Sequence, residues 1–328
     1  MRIMNTVNKR TAYCMAIFLM IMLLFCTGCT HNEESSNSDQ SSEVEQADIS
    51  ITDPGTYYDY AYGSDPLQRL DLVIPEETSA VKGLYVIIHG GAWISGDKEE
   101  FKNSIKNAAS HGYVSAAINY RFISESIHMD DILDDITAAL AQIKTVAAGR
   151  GVELHKVVFS GWSAGAHIAL LYAYKCADVS PIPPVFVISY CGPTDLIDPT
   201  FIEESDLGDK AGMLDLLNKL CGVSISEEDY NNQTGNYEEW RNALQFYSPV
   251  YCVTENSVPT VMGHGKKDTI VPFSNAVRLD EVLTTNGVTH QFVVFPKSGH
   301  NLDQDVDSIQ QITAAESQYV QMYLNDER

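Results

Sequence analysis

The feature of the sequence that most constrains the fold is a glycine-bounded serine turn, Gly161-Trp162-Ser163-Ala164-Gly165. It follows the apolar run 157–159 and precedes an apolar, helix-like run at 166–171. This succession predicts a strand, a sharp turn and a helix, with glycines where a side chain would collide with a neighbouring element. The turn lifts the Ser163 hydroxyl out of the sheet, and the positive end of the helix dipole favours negative charge beside it.

Strand-like and helix-like runs alternate from about Thr56 to the C terminus, so residues 56–328 are predicted to form one α/β domain with a mostly parallel sheet and helices on both faces. The first two strands, 57–62 and 68–74, are predicted to form an antiparallel pair. The predicted central strands are 84–88, 114–119, 156–159, 185–190, 258–262 and 291–295. The predicted helices are 98–109, 130–147, 164–175, 275–285 and 307–324.

The alternation breaks at residues 196–246, which are acidic and mainly helical in pattern. Because this segment is inserted between two predicted strands, we interpret it as a cap over a site at the edge of the sheet. Segments of this kind commonly decide which substrate enters a site.

A second glycine-rich loop, His89-Gly90-Gly91-Ala92-Trp93, follows the predicted strand 84–88. Glycines there allow the backbone to approach a ligand and to point N–H groups at it, as the stabilisation of an oxyanion requires. The carboxyl ends of parallel strands meet at one edge of a sheet, so we expect this loop to lie beside Ser163. Trp93 and Trp162 are candidates either for lining an acyl pocket or for packing in the core.

An acidic residue and a histidine follow the last two predicted strands. Asp268 comes after strand 258–262, and His300 comes after strand 291–295. The order Ser163, Asp268, His300 is that of the α/β hydrolases and differs from the orders in two unrelated serine protease folds. Asp195, which follows strand 185–190, is an alternative acid. Three other histidines are predicted to have structural roles. His89 and His264 are expected to brace their loops, and His167 is expected to pack within its helix.

These motifs together resemble the esterase and lipase branch of the α/β-hydrolase superfamily, from about Thr56 to the C terminus. The likeness is greatest to the hormone-sensitive-lipase-like carboxylesterases and to bacterial esterases related to feruloyl and acetyl-xylan esterases. It is carried by His89-Gly90-Gly91-Ala92-Trp93, Gly96-Asp97-Lys98, Asn119-Tyr120-Arg121, Gly161-Trp162-Ser163-Ala164-Gly165, Asp268 with Val271-Pro272, and Gly299-His300.

The resemblance implies a carboxylesterase with Ser163 as nucleophile, His300 as base and Asp268 as the acid that orients it. It also implies an oxyanion hole formed by the backbone N–H groups of Gly91, Ala92 and Ala164. Ala92 replaces a glycine that is common in the lipase-like branch, and its methyl group narrows the space for bulky acyl groups. No cofactor is implied, and the sequence has no metal-binding or nucleotide-binding motif. The expected partner is a small-molecule or carbohydrate ester; a peptidase or amidase on the same scaffold and a non-catalytic ligand-binding lipoprotein are the alternatives.

Residues 1–28 are predicted to be a lipoprotein signal peptide, because positive residues precede an apolar run that is too short to span a membrane. The run ends in Leu24-Phe25-Cys26-Thr27-Gly28-Cys29, which resembles a bacterial lipobox and implies that Cys29 is lipidated. Residues 29–55 are polar and acidic, as is typical of a disordered tether. We therefore expect an extracytoplasmic protein that meets the bacterial cell membrane through its lipid anchor only.

The charge of the chain argues against nucleic acid as a partner. The sequence contains 21 Lys and Arg residues and 44 Asp and Glu residues, which gives a net charge of -23. Four cysteines lie beyond the leader, at positions 176, 191, 221 and 252. An exported protein can pair four cysteines in three ways, and the sequence does not choose among them. It also does not decide the oligomeric state.

Overall fold

An eight-stranded sheet organises residues 55–325, the part of the chain that the computed structural model describes. The strands are β1 (Thr56–Ala61), β2 (Arg69–Val73), β3 (Leu84–Ile88), β4 (Val114–Ile118), β5 (Val157–Trp162), β6 (Pro184–Tyr190), β7 (Thr260–Gly265) and β8 (His290–Phe295). Their order across the sheet is β1-β2-β4-β3-β5-β6-β7-β8. β2 is antiparallel to both β1 and β4, and the remaining pairs are parallel. The predicted parallel sheet with an antiparallel opening pair is confirmed.

Helices cover both faces of this sheet. They are α1 (Lys102–Ser110, after a 3-10 turn at Lys98–Phe101), α2 (Met129–Ala148), α3 (Ala164–Lys175), α4 (Pro199–Glu204), α5 (Lys210–Cys221), α6 (Glu227–Asn232), α7 (Tyr237–Phe246), α8 (Pro249–Cys252), α9 (Ser274–Thr285) and α10 (Val306–Tyr319, followed by a π-helical turn at Val320–Leu324). The apolar residues of α2, α3, α5 and α9 pack in one core, and those of α1 and α10 pack in a second core.

The stripe of apolar residues predicted along α2 is buried as expected. Ile132, Ile136, Leu140 and Ile143 are fully buried, because their spacing of three or four residues places them on one face of the helix. Burial of each such side chain contributes about 1.5–3 kcal/mol, so this face alone fixes α2 on the sheet.

Strand β7 runs further than its sequence predicts. We expected it to end at residue 262, before Gly263, whereas it continues to Gly265. A Cβ atom on Gly265 would lie 2.2 Å from the carbonyl oxygen of Gly299, and one on Gly263 would lie 2.5 Å from Ile312 Cδ1. The two glycines therefore permit close approach within a strand, where we expected the loop after it.

A buried ion pair ties the antiparallel end of the sheet to the segment before α1. The Lys98 ammonium lies 2.6 Å from Asp59 and 2.9 Å from Asp71, and the Lys98 side chain is only 2% exposed. The backbone N–H of Lys98 donates to the Asn119 side chain at 2.6 Å. Lys98 thus joins β1, β2 and the loop after β4 at one point.

The predicted signal peptide 1–28, the lipidated Cys29 and all of the tether 29–55 except Gly55 lie outside the described residues. Within residues 55–325, no helix is both long and apolar enough to cross a membrane. No disulfide joins any of Cys176, Cys191, Cys221 and Cys252 in this part of the chain.

Candidate active site

The serine turn has the backbone that the sequence predicts. Ser163 has a φ of 55°, a left-handed conformation that is strained for a residue with a side chain, and α3 begins at the next residue. Its N–H donates to the carbonyl of Tyr190 at 2.8 Å, which ties the turn to the end of β6. A Cβ on Gly161 would lie 2.3 Å from the Gly165 carbonyl oxygen, and one on Gly165 would lie 2.1 Å from that of Ile88. Both glycines are therefore required for the turn to close.

The glycine loop after β3 lies against this turn. A Cβ on Gly90 would lie 2.8 Å from the carbonyl oxygen of Trp162 and 3.3 Å from Ser163 Cβ, so only glycine allows this approach. Gly91, Ala92 and Trp93 have consecutive positive φ values of 111°, 52° and 60°. This backbone turns sharply beside the serine, as an oxyanion-binding loop must.

The third predicted oxyanion donor is the N–H of Ala164, the first residue of α3. The first N–H groups of a helix have no acceptor within the helix, and they carry the positive end of its dipole. The structure thus brings Gly90 of the glycine loop against Ser163, and α3 starts at the residue after it. The role of Gly91, Ala92 and Ala164 as donors to an oxyanion stays a prediction.

Asp268 and His300 are joined directly. His300 Nδ1 lies 2.8 Å from Asp268 Oδ2, while the N–H groups of Ile270 and Val271 donate to Asp268 Oδ1 at 2.9 and 3.0 Å. Burial acts to raise the pKa of Asp268, but the charge of His300 and the hydrogen bonds from His264 and His300 lower it well below the usual range. Asp268 is therefore held as a carboxylate that fixes the orientation of the imidazole.

The loop that carries His300 is held by a second buried carboxylate. Asp305 Oδ2 accepts the N–H of Lys297 at 2.9 Å, and from Ser298 it accepts the N–H at 2.8 Å and the hydroxyl at 2.6 Å. Ser298 is fully buried. Asp305, Lys297 and Ser298 thus hold together the loop between β8 and α10, on which His300 lies half-buried.

Sequence reasoning missed the full part played by His264, which we predicted only to brace its loop. Its Nε2 donates to the Val271 carbonyl at 2.9 Å and also lies 3.3 Å from Asp268 Oδ2. Its position four residues before Asp268, between two glycines at the end of a strand, was the signal that this imidazole touches the acid. His264 therefore supports the negative charge of Asp268 from the side opposite the peptide N–H groups.

Ser163, Asp268 and His300 all lie on loops at the carboxyl edge of the sheet, after β5, β7 and β8. Among residues 55–325 no hydrogen bond links the Ser163 hydroxyl to His300, a contact that commonly tightens only when substrate binds. The alternative acid, Asp195, is instead paired with Arg278. The geometry favours Asp268 as the partner of His300.

Cys191, His264 and Asp268 place one potential ligand atom each within 4.8 Å of one another. These atoms already serve other contacts, because His264 Nε2 donates its proton to a carbonyl and Asp268 accepts N–H groups on both oxygens. A metal needs the lone pair that this protonated nitrogen lacks. The arrangement fits the orientation of an acid better than metal coordination.

Comparison with known proteins places the chain in a family. The BD-FAE family model matches residues 70–283, which is more than half of the chain and includes the glycine loop, the serine turn and Asp268. The chain belongs to the BD-FAE family.

Curated relatives of this BD-FAE protein include esterases. The probable isoprenylcysteine alpha-carbonyl methylesterase ICMEL1 of Oryza sativa subsp. japonica is 24% identical over 260 residues, 73% of this chain and 55% of that protein. Esterase LipC of Mycobacterium tuberculosis is 24% identical over 257 residues, 74% of this chain and 59% of that protein. The non-reducing polyketide synthase atr1 of Stereocaulon alpinum is 33% identical over 134 residues, 38% of this chain and only 5% of that protein. The BD-FAE chain thus spans less than two thirds of the length of each of these relatives.

Solved structures share the fold. A truncated carbohydrate esterase from gut microbiota superposes with a TM-score of 0.64 at 19% identity, covering 81% of this chain and 96% of that one. The propionate-bound esterase Est2 of Thermogutta terrifontis superposes with a TM-score of 0.61 at 21% identity, covering 84% of this chain and 97% of that one. The BD-FAE chain therefore has the α/β-hydrolase fold that its sequence predicts.

The insertion at 196–246 is helical, as predicted, and it reaches across the carboxyl edge of the sheet. At one end His128 Nδ1 donates to the carbonyl of Lys219 at 2.7 Å; at the other, the N–H of Asp206 donates to the carbonyl of Thr269 at 2.7 Å. His128 follows β4, and Thr269 follows β7. These two loops flank β3, β5 and β6, so the insertion spans the strands that carry the glycine loop and the serine turn.

The two candidate pocket tryptophans are core residues. Trp93 is 1% exposed and Trp162 is 5% exposed, and Trp162 stacks on Tyr190 with ring centroids 5.2 Å apart. A surface cavity of about 440 Å³ lies instead at the far end of α3, where Lys175 and Phe246 are among its lining residues. At a rise of about 1.5 Å per residue, Lys175 lies about 18 Å along α3 from Ser163, so the cavity is too far away to hold the reacting group.

Proposed function

We propose that this protein is a serine carboxylic ester hydrolase that works through an acyl-enzyme on Ser163. The observation that carries the proposal is the bonded pair of Asp268 and His300 at the same sheet edge as a strained serine turn that abuts a glycine loop. Membership of the BD-FAE family and the esterases among its relatives support the same reaction class.

In the first half of the reaction, His300 Nε2 takes the proton of the Ser163 hydroxyl as the oxygen attacks the ester carbonyl. Asp268 accepts the proton of Nδ1, which keeps Nε2 available as the base and stabilises the imidazolium. The carbonyl oxygen becomes negative and receives hydrogen bonds from the N–H groups of Gly91, Ala92 and Ala164. The imidazolium then gives its proton to the leaving alcohol.

In the second half, a water molecule replaces the alcohol beside His300. The imidazole takes a proton from this water while the water oxygen attacks the acyl carbonyl. The imidazolium then gives that proton to the Ser163 oxygen as it leaves, which frees the carboxylic acid and restores the serine hydroxyl. The same N–H groups stabilise the second tetrahedral intermediate. No group beyond these side chains and backbone amides is needed for either step.

The proposed substrates are short-chain acyl or carbohydrate esters. The methyl group of Ala92 stands where a glycine would leave more room, and this narrows the acyl side of the site. The insertion at 196–246, acting as a cap, would set the alcohol side. A structural neighbour named as a carbohydrate esterase supports this substrate class.

The experiment that tests the reaction measures the release of p-nitrophenol from acetate, butyrate and octanoate esters by the purified protein. In Ser163→Ala we expect kcat to fall by about 10⁶, because the nucleophile is lost. The matched control is Ser160→Ala, which removes a fully buried hydroxyl from β5, three residues before Ser163, and should leave kcat unchanged. Equal activity in wild type and Ser163→Ala would reject the mechanism.

The substrate class is tested with acetylated xylan and feruloylated sugars beside simple lipid esters. We expect release of acetate or ferulate that disappears in Ser163→Ala. Good activity on simple lipids with none on the sugar esters would overturn the carbohydrate assignment and leave the hydrolase mechanism standing.

We also propose that the protein is exported and held at the bacterial membrane through acylated Cys29. Two or more acyl chains give firmer anchoring than one. Metabolic labelling with an alkyne fatty acid should mark the wild type and not Cys29→Ser, which should leave the membrane fraction. Labelling that persists in Cys29→Ser would reject this anchor.

A further inference from the structure

A single buried histidine links the glycine loop, the serine turn and the insertion. His167 lies in the first turn of α3 and is fully buried. Its Nδ1 lies 3.2 Å from the indole Nε1 of Trp93, and its Nε2 lies 2.7 Å from the carbonyl oxygen of Tyr247, just after α7. The rings of Trp93 and His167 meet edge to face with centroids 5.2 Å apart.

The partners of His167 fix its tautomer. An indole N–H can only donate, so Nδ1 must be the unprotonated nitrogen that accepts it. A carbonyl can only accept, so Nε2 must carry the proton. Burial lowers the pKa of His167 to about 4, which keeps the ring neutral and Nδ1 able to accept at the pH of the reaction.

The bond to Trp93 matters because the loop before it is strained. Ala92 and Trp93 both have left-handed φ values, which non-glycine residues hold only when their surroundings constrain them. The Trp93 carbonyl accepts the N–H of Ile123 at 3.0 Å, and the indole is the second fixed point. If the indole is released, the N–H of Ala92 is free to turn away from the serine.

We propose that His167 is a positioning residue that holds the oxyanion loop in its active conformation through the Trp93 indole. The inference rests on the proposed hydrolase function and adds a residue to it that touches neither substrate nor reacting atoms. Tyr247 directly follows the insertion at 196–246. The same imidazole therefore also connects the end of the insertion to the oxyanion loop.

Two substitutions separate this role from ordinary packing. In His167→Asn, the side-chain oxygen takes the place of Nδ1 and still accepts the Trp93 N–H, but the donor to Tyr247 is lost. In His167→Gln, the amide nitrogen takes the place of Nε2 and still donates to Tyr247, but the acceptor for Trp93 is lost. Each variant replaces the ring by an amide and breaks one buried hydrogen bond, so a packing role predicts similar effects from both.

The positioning role predicts different effects on turnover. For p-nitrophenyl acetate, kcat should fall about 10- to 100-fold in His167→Gln, short of the full loss of an oxyanion donor, with little change in KM. In His167→Asn, kcat should stay within about threefold of wild type, although its melting temperature falls as much as that of the Gln variant. Trp93→Phe should match His167→Gln, and adding Trp93→Phe to His167→Gln should cost nothing more.

Hydrogen exchange of the loop amides 90–95 gives a readout that needs no turnover. These amides should exchange about tenfold faster in His167→Gln than in wild type, and no faster in His167→Asn. Equal kcat and equal exchange in the two variants would overturn the proposal. A wild type that hydrolyses no ester would defeat the proposed function, and the exchange rates would still decide whether His167 holds the loop.

Discussion

Asp268→Asn is the substitution for which the structure gives the sharpest expectation. The N–H groups of Ile270 and Val271 both point at Asp268 Oδ1, so the asparagine oxygen must take that position. Its NH₂ group then takes the place of Oδ2, 2.8 Å from His300 Nδ1 and 3.3 Å from His264 Nε2. An NH₂ group only donates, so His300 must accept at Nδ1 and carry its proton on Nε2, the nitrogen that serves as the base.

This wrong tautomer should lower kcat by about 10⁴, which corresponds to about 5.5 kcal/mol of transition-state free energy. KM for p-nitrophenyl acetate should change little, because Asp268 does not touch the ester. The fold should survive, since the two backbone bonds to the side-chain oxygen are kept. The assay is steady-state release of p-nitrophenol, with a melting curve to verify the fold.

The matched control is Asp195→Asn, which changes the other acid that the sequence allows. Asp195 is paired with Arg278 and not with His300, so its kcat should fall by less than about threefold. If Asp268→Asn kept more than about a tenth of wild-type kcat while Asp195→Asn lost about 10⁴, the acid would be Asp195 and the tautomer argument would fail.

Two further predictions concern stability. Lys98→Met should lower the free energy of unfolding by about 3–5 kcal/mol, because it leaves the fully buried Asp71 carboxylate without its cation. The control is Lys102→Met at an exposed ion pair, which should lower it by less than about 1 kcal/mol. Equal urea midpoints for the two variants would contradict this prediction. Burial lowers the pKa of both His89 and His167 to about 4, below the unfolded value. Unfolding between pH 6.5 and pH 4 therefore takes up protons, and the free energy of unfolding decreases by about 1.4 kcal/mol for each ring and each unit by which the pH is lowered. Urea unfolding from pH 8 to pH 4 measures this slope, which His167→Asn should reduce by one imidazole's share; an unchanged slope would show that the ring is not held neutral.

The sequence predicted the positions of the strands and helices well, because their apolar periodicity is strong. The resemblance named Asp268 as the acid, but the strand pattern alone kept Asp195 as an alternative, since both residues follow predicted strands. The choice depends on strand order: β7 pairs directly with β8 through Gly265 and Phe295, so the loops after these strands meet. Strand β6, which leads to Asp195, is one strand further from His300.

The hydrogen-bonding roles of His264 and His167 were also beyond the sequence. Both were predicted to serve their local structure. The local pattern gave no other sign for His167, and for His264 the only sign was its position four residues before Asp268. His264 reaches Asp268 because β7 continues through two glycines that we expected to lie in the loop after the strand. His167 reaches Trp93 across a distance of 74 residues in the chain, a contact that only the tertiary fold specifies.

Backbone strain marks the site more clearly than any one motif. Seven non-glycine residues between 55 and 325 have positive φ values. Five of them lie on loops that follow β3, β5, β6 and β8 at the carboxyl edge: Ala92, Trp93, Ser163, Cys191 and Leu302. A sheet that needed only to pack would place glycine at such positions, since glycine adopts them without steric cost. Side chains are kept there against that cost, and hydrogen bonds hold each strained loop. His167 contacts Trp93, Asp268 and Asp305 hold the loop of His300 and Leu302, and the N–H groups of Ser163 and Cys191 donate to the carbonyls of Tyr190 and Gly263.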